Sequence, residues 1–280
     1  MSAVLFDVPG PKARTRNVYL NIATIIVVVG IIGFILYRFY ESDQFTAQKW
    51  EIFTFPRVQQ TFLKAIGATL SAFAVGAVGS LVLGVLLAFG RLTDSKWVSR
   101  PCYWFTELFR AIPLLILMMI MYYGLPSAGV KGITPFIAVV VGLILYNGSV
   151  LAEVFRAGIE SLPKGQREAG LAVGLTKGQV LRSILLPQAV RAMLPVIIAQ
   201  LVVIMKDTAL GFLITYDEIM KYANFLGSQV QYGSPVVPAL MVAAVLYVGM
   251  CLILSGLAKY TERKMSSRVK VIKAKAGMAG

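Results

Sequence analysis

Residues 162–186 read LPKGQREAGLAVGLTKGQVLRSILL, a 25-residue polar island between two long apolar runs. Its charges include Lys164, Arg167, Glu168, Lys177 and Arg182. So many charges cannot sit in hydrocarbon, so the island must lie outside a bilayer that its flanks cross. The segment nevertheless has order written into it. Ala169, Ala172 and Val173 follow i, i+3, i+4 spacing, which predicts a short helix with a narrow small-residue face. Gly165, Gly170, Gly174 and Gly178 divide the stretch and leave room for close backbone approach. Pro163 suits the start of one helix and Pro187 the first turn of the next. A short helix held at a membrane surface by spans on both sides is built to touch something. The plainer alternative is a loop with one amphipathic turn lying on lipid.

Around the island the chain is 280 residues long and 58% hydrophobic, with a mean hydropathy of +0.75. Six apolar runs reach the about 20 residues that a bilayer crossing requires. They are Val18–Tyr37, Ala65–Phe89, Tyr103–Tyr123, Ile133–Ala152, Pro187–Met205 and Pro235–Leu257. Sustained polar/apolar alternation is missing, which argues against a β-barrel. The expected fold is therefore an all-α membrane protein with six transmembrane helices. The formal net charge is +14, and its placement matters more than its size. Eighteen Lys and Arg residues fall on the island's side of these spans, far more than on the other. By the positive-inside rule both termini and the island are cytoplasmic, an N-in/C-in topology. The basic tail Lys259–Lys275 reads as an anchor on anionic membrane lipid. Without interleaved aromatics it gives no support for nucleic-acid binding.

Chemistry-bearing motifs are few. Histidine is absent, which removes the usual general base and the commonest metal ligand. Cys102 and Cys251 make no disulfide framework. No GxxxxGK[ST] is present, so the chain has no P-loop of its own. No catalytic residue, metal site or cofactor is expected.

Glu168-Ala169-Gly170, Gly174, Ile184 and Leu186-Pro187 reproduce the spacing E-A-A-x3-G-x9-I-x-L-P. This is similar to the EAA loop of ABC importer membrane subunits. The wider run AEVFRAGIESLPKGQREAGLAVGLTKGQVLRSILLPQAVRAMLP, followed by KDTAL, resembles the polar amino-acid permease family. The resemblance covers roughly Ala65 to Lys259 and is similar in outline to actinobacterial glutamate permeases. It implies a type I permease core of five helices, with the first helix as an addition. The corresponding domain plan is 1–64 for the tail, extra helix and outer loop, 65–259 for the permease domain with the coupling loop 162–186, and 260–280 for the basic tail. The implied coupling residues are Glu168, Ala169, Gly170, Gly174 and Leu175, on a helix that docks in a cytoplasmic ATP-binding subunit. A second membrane subunit, the same or a related chain, and an extracytoplasmic amino-acid-binding protein are the other implied partners. Gly170 departs from the family's second alanine and lowers helix propensity by about 1 kcal/mol.

Candidate substrate-path residues are Thr69, Glu107, Arg110, Gln200, Lys206, Asp207 and Thr208. Glu107 and Arg110 share a helix face and could be either a boundary ion pair or a pair with Arg110 turned to the path. Pro113, in the family's R-x-x-P-L-L, can kink the third span. Gln200 lies deep enough that its amide needs a partner. Lys206-Asp207 reads as a boundary charge cluster or as a gate that meets a zwitterion. Residues 211–234 are expected to form an outer loop whose Asp217, Glu218 and Lys221 face a soluble binding protein. A secondary transporter would concentrate ionisable groups at mid-membrane, and a non-transporting scaffold would need none.

Overall fold

The computed structural model describes residues 10–277, with side chains to residue 260. The basic tail beyond Tyr260, expected to anchor on lipid, lies outside the described side chains. All regular structure among the described residues is helical. The main elements are α1 (Pro11–Glu41), α2 (Pro56–Leu92), α3 (Lys96–Ala111), α4 (Leu114–Ser127) and α5 (Pro135–Glu160). They are followed by α6 (Lys164–Ala172), α7 (Lys177–Asp207), α8 (Ile219–Gly227) and α9 (Val236–Gly277). Among the described residues five helices are long and apolar enough to cross a bilayer. A sixth crossing results only when α3 and α4 are taken together.

That pair departs from the single span expected over Tyr103–Tyr123. Its two helices meet at 99°. The cause is local: a residue before proline is pushed out of the helical region, and Ile112 (φ −83°, ψ 124°) and Pro113 (φ −56°, ψ 133°) are both extended. Pro187 falls where expected, in the first turn of the regular α-helical part of α7 that begins at Leu186, directly after a wide turn at Leu181–Leu185. The wide turn absorbs the missing donor and the ring, so the island runs into the span without a break. The stretch 211–234 is also not a loop. Helical turns continue from Thr208 to Ile214, Thr215 reverses the chain at φ 65°, and α8 follows.

The central contact is between α2 and α5. A Cβ built on Gly84 would stand 2.8 Å from Leu151 Cβ and 3.1 Å from the Gly148 carbonyl oxygen. Small residues permit this closeness, which is how transmembrane helices gain packing energy in the absence of water. The Ser80 hydroxyl donates to the Leu143 carbonyl at 3.1 Å across the same seam. Ala72, Leu114, Met118, Val139, Leu143 and Ile204 form the core beside it, drawing in α4 and α7. At the end away from the island, Ile52, Phe62, Ile219, Ala223, Leu226 and Ala239 make a second core, which seats α8. By contrast, α1 has no buried residue. Its apolar surface fits lipid or another protein, not water.

Gly84→Val should destabilise the bundle by about 1–3 kcal/mol, because neither the Leu151 Cβ nor the Gly148 carbonyl can move aside. Gly67→Ala has open space within 4 Å and should be neutral. Thermal unfolding of the two purified variants in one detergent checks the contrast.

Candidate functional site

The island folds as a short helix closed by a backbone motif that requires one glycine. After α6 ends, Gly174 takes φ +86°. The Leu175 amide donates to the Gly170 carbonyl at 3.2 Å, and the Gly174 amide donates to that of Leu171 at 3.0 Å. This is the paired C-terminal closure that favours glycine at its left-handed position. Nothing lies within 4 Å of a Cβ at Gly174, so its backbone angle sets the requirement and crowding does not. Thr176 then starts α7 with a reciprocal cap, its amide donating to Gln179 Oε1 at 2.8 Å.

Gly170 is explained by packing. A Cβ there would meet Val180 Cγ2 at 2.8 Å and Ile184 Cδ1 at 3.0 Å. The departure from alanine lets α6 press onto the start of α7. Of the four island glycines, Gly165 and Gly178 have open space instead. Beneath the segment, Ile159, Val180, Leu185 and Ala189 form a buried cluster that also holds Leu92 and Leu175. The island is thus fixed to the ends of α2 and α5. Its other face is bare: Glu168, Ala169, Leu171, Ala172 and Val173 are all exposed, Val173 to 77%.

Charges bind the same end of the bundle. Arg91, with a side chain only 8% exposed, pairs with Glu153 at 2.8 Å and stands 4.0 Å from Glu107. Glu107 accepts from Arg110 at 3.2 Å, with both side chains more than a third exposed. Glu153 and Glu160 also hold Arg156. Glu107–Arg110 is therefore an ion pair on the edge of a network, and Arg91 is the member that sequence reading missed. Lys177 reaches Asp94 at 2.7 Å, and this hydrogen bond and charge hold the Asp94 carboxyl below its ordinary range.

The other path candidates separate into two kinds. Gln200 has the partner its depth demands: its amide donates to Asn147 Oδ1 at 2.6 Å, while Asn147 donates to the Leu143 carbonyl. Thr69 is fully buried, donates to the Ala65 carbonyl and accepts from the Ile219 amide at 3.4 Å. Thr208, also buried, donates to the Met205 carbonyl. Lys206 is exposed and Asp207 half-buried, and neither forms an ion pair or side-chain hydrogen bond among the described residues.

Glu218, expected to face outward, is 0% exposed. It accepts from the Tyr247 hydroxyl at 2.6 Å and from the Met220 and Lys221 amides at 2.7 Å each. It caps α8 and ties it to α9. Asp217 remains exposed and pairs with Lys221. The one available signal in the sequence was the position of Glu218, directly before the apolar start of α8.

With this geometry the chain compares closely with known proteins. The family model described as binding-protein-dependent transport system inner membrane component matches residues 80–267. The chain belongs to this family. It is 39% identical over 230 residues to the glutamate transport system permease protein GluD of Corynebacterium glutamicum, covering 80% of this chain and 82% of that protein. It is 33% identical over 210 residues to the arginine transport system permease protein ArtQ of Bacillus subtilis, covering 73% and 92%. Among solved structures, a chain of an amino acid ABC transporter crystallised with histidines superposes with a TM-score of 0.67 at 26% identity, covering 74% of this chain and 95% of that one.

Gln200→Leu should cost about 1–3 kcal/mol by leaving the buried Asn147 oxygen without a donor. Adding Asn147→Leu should recover part of that loss. Unfolding of the single and double variants in the same detergent measures the coupling.

Proposed function

We propose that this chain is the membrane subunit of an ATP-driven importer of a polar amino acid, with glutamate as cargo, in a bacterial plasma membrane. The observation that carries the reading is the bare Ala169–Val173 face of α6, set on a base rigidly joined to three spans. Leu171 and Val173 would be poorly placed in water on so charged a segment, and they suit burial in a docking groove. A cytoplasmic ATP-binding subunit supplies that groove, and ATP-driven closure pushes α6, α7 and the attached spans together. Hydrolysis belongs to the partner; this chain supplies the path and the lever. A second membrane subunit, the same or a related chain, completes the path, and an extracytoplasmic binding protein delivers cargo. The similarity to the glutamate permease of Corynebacterium glutamicum supports glutamate.

The proposed path residues are Lys206 and Asp207, which form no ion pair among the described residues, and Arg110, which stays more than a third exposed beside Glu107. They offer complementary charge to a carboxylate and an ammonium group, whose dehydration inside a membrane is costly unless each is paired. Thr69, Gln200 and Thr208 act behind them, since their polar atoms already have internal partners. The orientation proposed is N-in/C-in, with the island inside.

Purified with its native partners and reconstituted, the complex should hydrolyse ATP faster with glutamate-loaded binding protein than with arginine, glutamine or histidine. Gly174→Val should reach the membrane at wild-type levels yet lose about tenfold or more of uptake, since a side chain at its left-handed φ costs ~1–2 kcal/mol. Gly174→Asn, which tolerates that φ, should keep most of it. Equal uptake by the valine variant would refute the coupling assignment.

For orientation, native Cys102 and Cys251 are first replaced by serine. Single cysteines at Ser42 and Lys131 should then react with an impermeant thiol reagent in intact cells. A cysteine at Lys177 should react only after permeabilisation, and the reverse pattern would invert the topology.

A further inference from the structure

Between the island and the ends of α2 and α5 lies a cavity of about 630 Å³. Its floor is apolar, made by Phe89, Leu92, Ile159, Leu181 and Leu185. Its rim carries Lys164, Arg167 and Lys177. Lys164 and Lys177 are the first residues of α6 and α7, and Arg167 is in the first turn of α6. A helix N-terminus is already positive, so sequences usually favour Asp or Glu there. Neither helix has an acidic residue in its first turn. The positive end of α6 and three cations thus converge on one hollow, while the start of α7 is already closed by the Thr176–Gln179 cap.

The carboxylates on the rim neutralise only part of it. Asp94 is engaged by Lys177, and Glu160 by Arg156. Lys164 and Arg167 have no carboxylate within ion-pair distance among the described residues. Backbone amides at helix starts and nearby cations are the donors that recognise phosphate. An apolar floor below them calls for a ligand with a hydrocarbon part as well. The floor comes from the last turns of two spans and the first turns of a third, at the end of the bundle that carries the island.

We infer that this cavity binds an anionic phospholipid, with the phosphate on Lys164, Arg167 and Lys177 and the glycerol and upper acyl carbons against Leu92, Leu181 and Leu185. The bound lipid would lie between α6 and the spans, filling the space under the proposed docking helix. The inference needs only that α2, α5 and α7 cross a bilayer; the cargo and the ATPase partner do not enter it.

The full-length protein, reconstituted in phosphatidylcholine nanodiscs with a minority of phosphatidylglycerol, is extracted and its retained lipid counted by native mass spectrometry. Wild type should retain phosphatidylglycerol over phosphatidylcholine. Lys164→Gln/Arg167→Gln should lower that retention about tenfold or more, each basic side chain near a membrane surface being worth about fivefold. Lys96→Gln/Arg100→Gln, basic but off the cavity, should leave it unchanged. Asp94→Asn should raise retention by freeing Lys177 from its partner. This opposite sign keeps the test decisive if the double variant folds poorly. Retention that ignores both the cavity cations and Asp94 overturns the inference. Displacement of the lipid by millimolar inorganic phosphate or glycerophosphoglycerol also overturns it, because the site would then read a free phosphate.

Discussion

The approach of α2 to α5 at Gly84 and Gly148 is the contact on which the rest of the bundle depends. Inside a bilayer, burying apolar side chains away from lipid gains little, so helices associate through close packing and shared polar contacts. Here backbone meets backbone almost directly, and Ser80 adds a hydrogen bond across the seam. The core that gathers α4 and α7 forms against that pair. The island cluster joins its Leu92 and Ile159 ends. A change in the angle between α2 and α5 would therefore be felt at both the core and the island.

Most polar groups inside the bundle are spent on holding it together; the buried Ser149 hydroxyl is an exception among the described residues. Gln200 and Asn147 bond one another, Thr69 holds the start of α8, and Arg91 is clamped by Glu153. An unpaired polar group in such surroundings would cost several kcal/mol, so these pairings are conditions of folding. Most of what remains uncommitted lies at surfaces: the Ala169–Val173 face, Lys206, Asp207 and the whole of α1. Function in a permease has to be sought in that remainder.

Most of the architecture was readable because hydrophobic span length and fixed motif spacing are one-dimensional signals. The all-helical fold, the island and its helix, and the ion pairing of Glu107 with Arg110 all come from neighbours in sequence. What escaped depends on contacts between residues far apart. Glu218 looked like a loop carboxylate because its partner Tyr247 lies 29 residues away in an apolar run. Gly170 looked like a weakened helix position because Val180, which needs the space, sits on the next helix. Pro113 announced a kink, yet the size of the bend depended on Ile112 also turning extended. The wide turn that precedes Pro187 leaves no mark in composition.

The buried Glu218 constrains how the end of the molecule away from the island can move. Its carboxylate accepts from three donors on two helices and has no access to solvent. Water cannot replace those donors one at a time, so α8 and the facing part of α9 must travel as a single rigid body. Any opening there has to be a hinge around that body instead of a fraying of the segment. The left-handed Thr215 lies just outside the clamp, its carbonyl accepting from Lys221 Nζ at 2.7 Å and its hydroxyl donating to Tyr122 at 3.2 Å. Such an opening would have the mechanics of a hatch, stiff across its face.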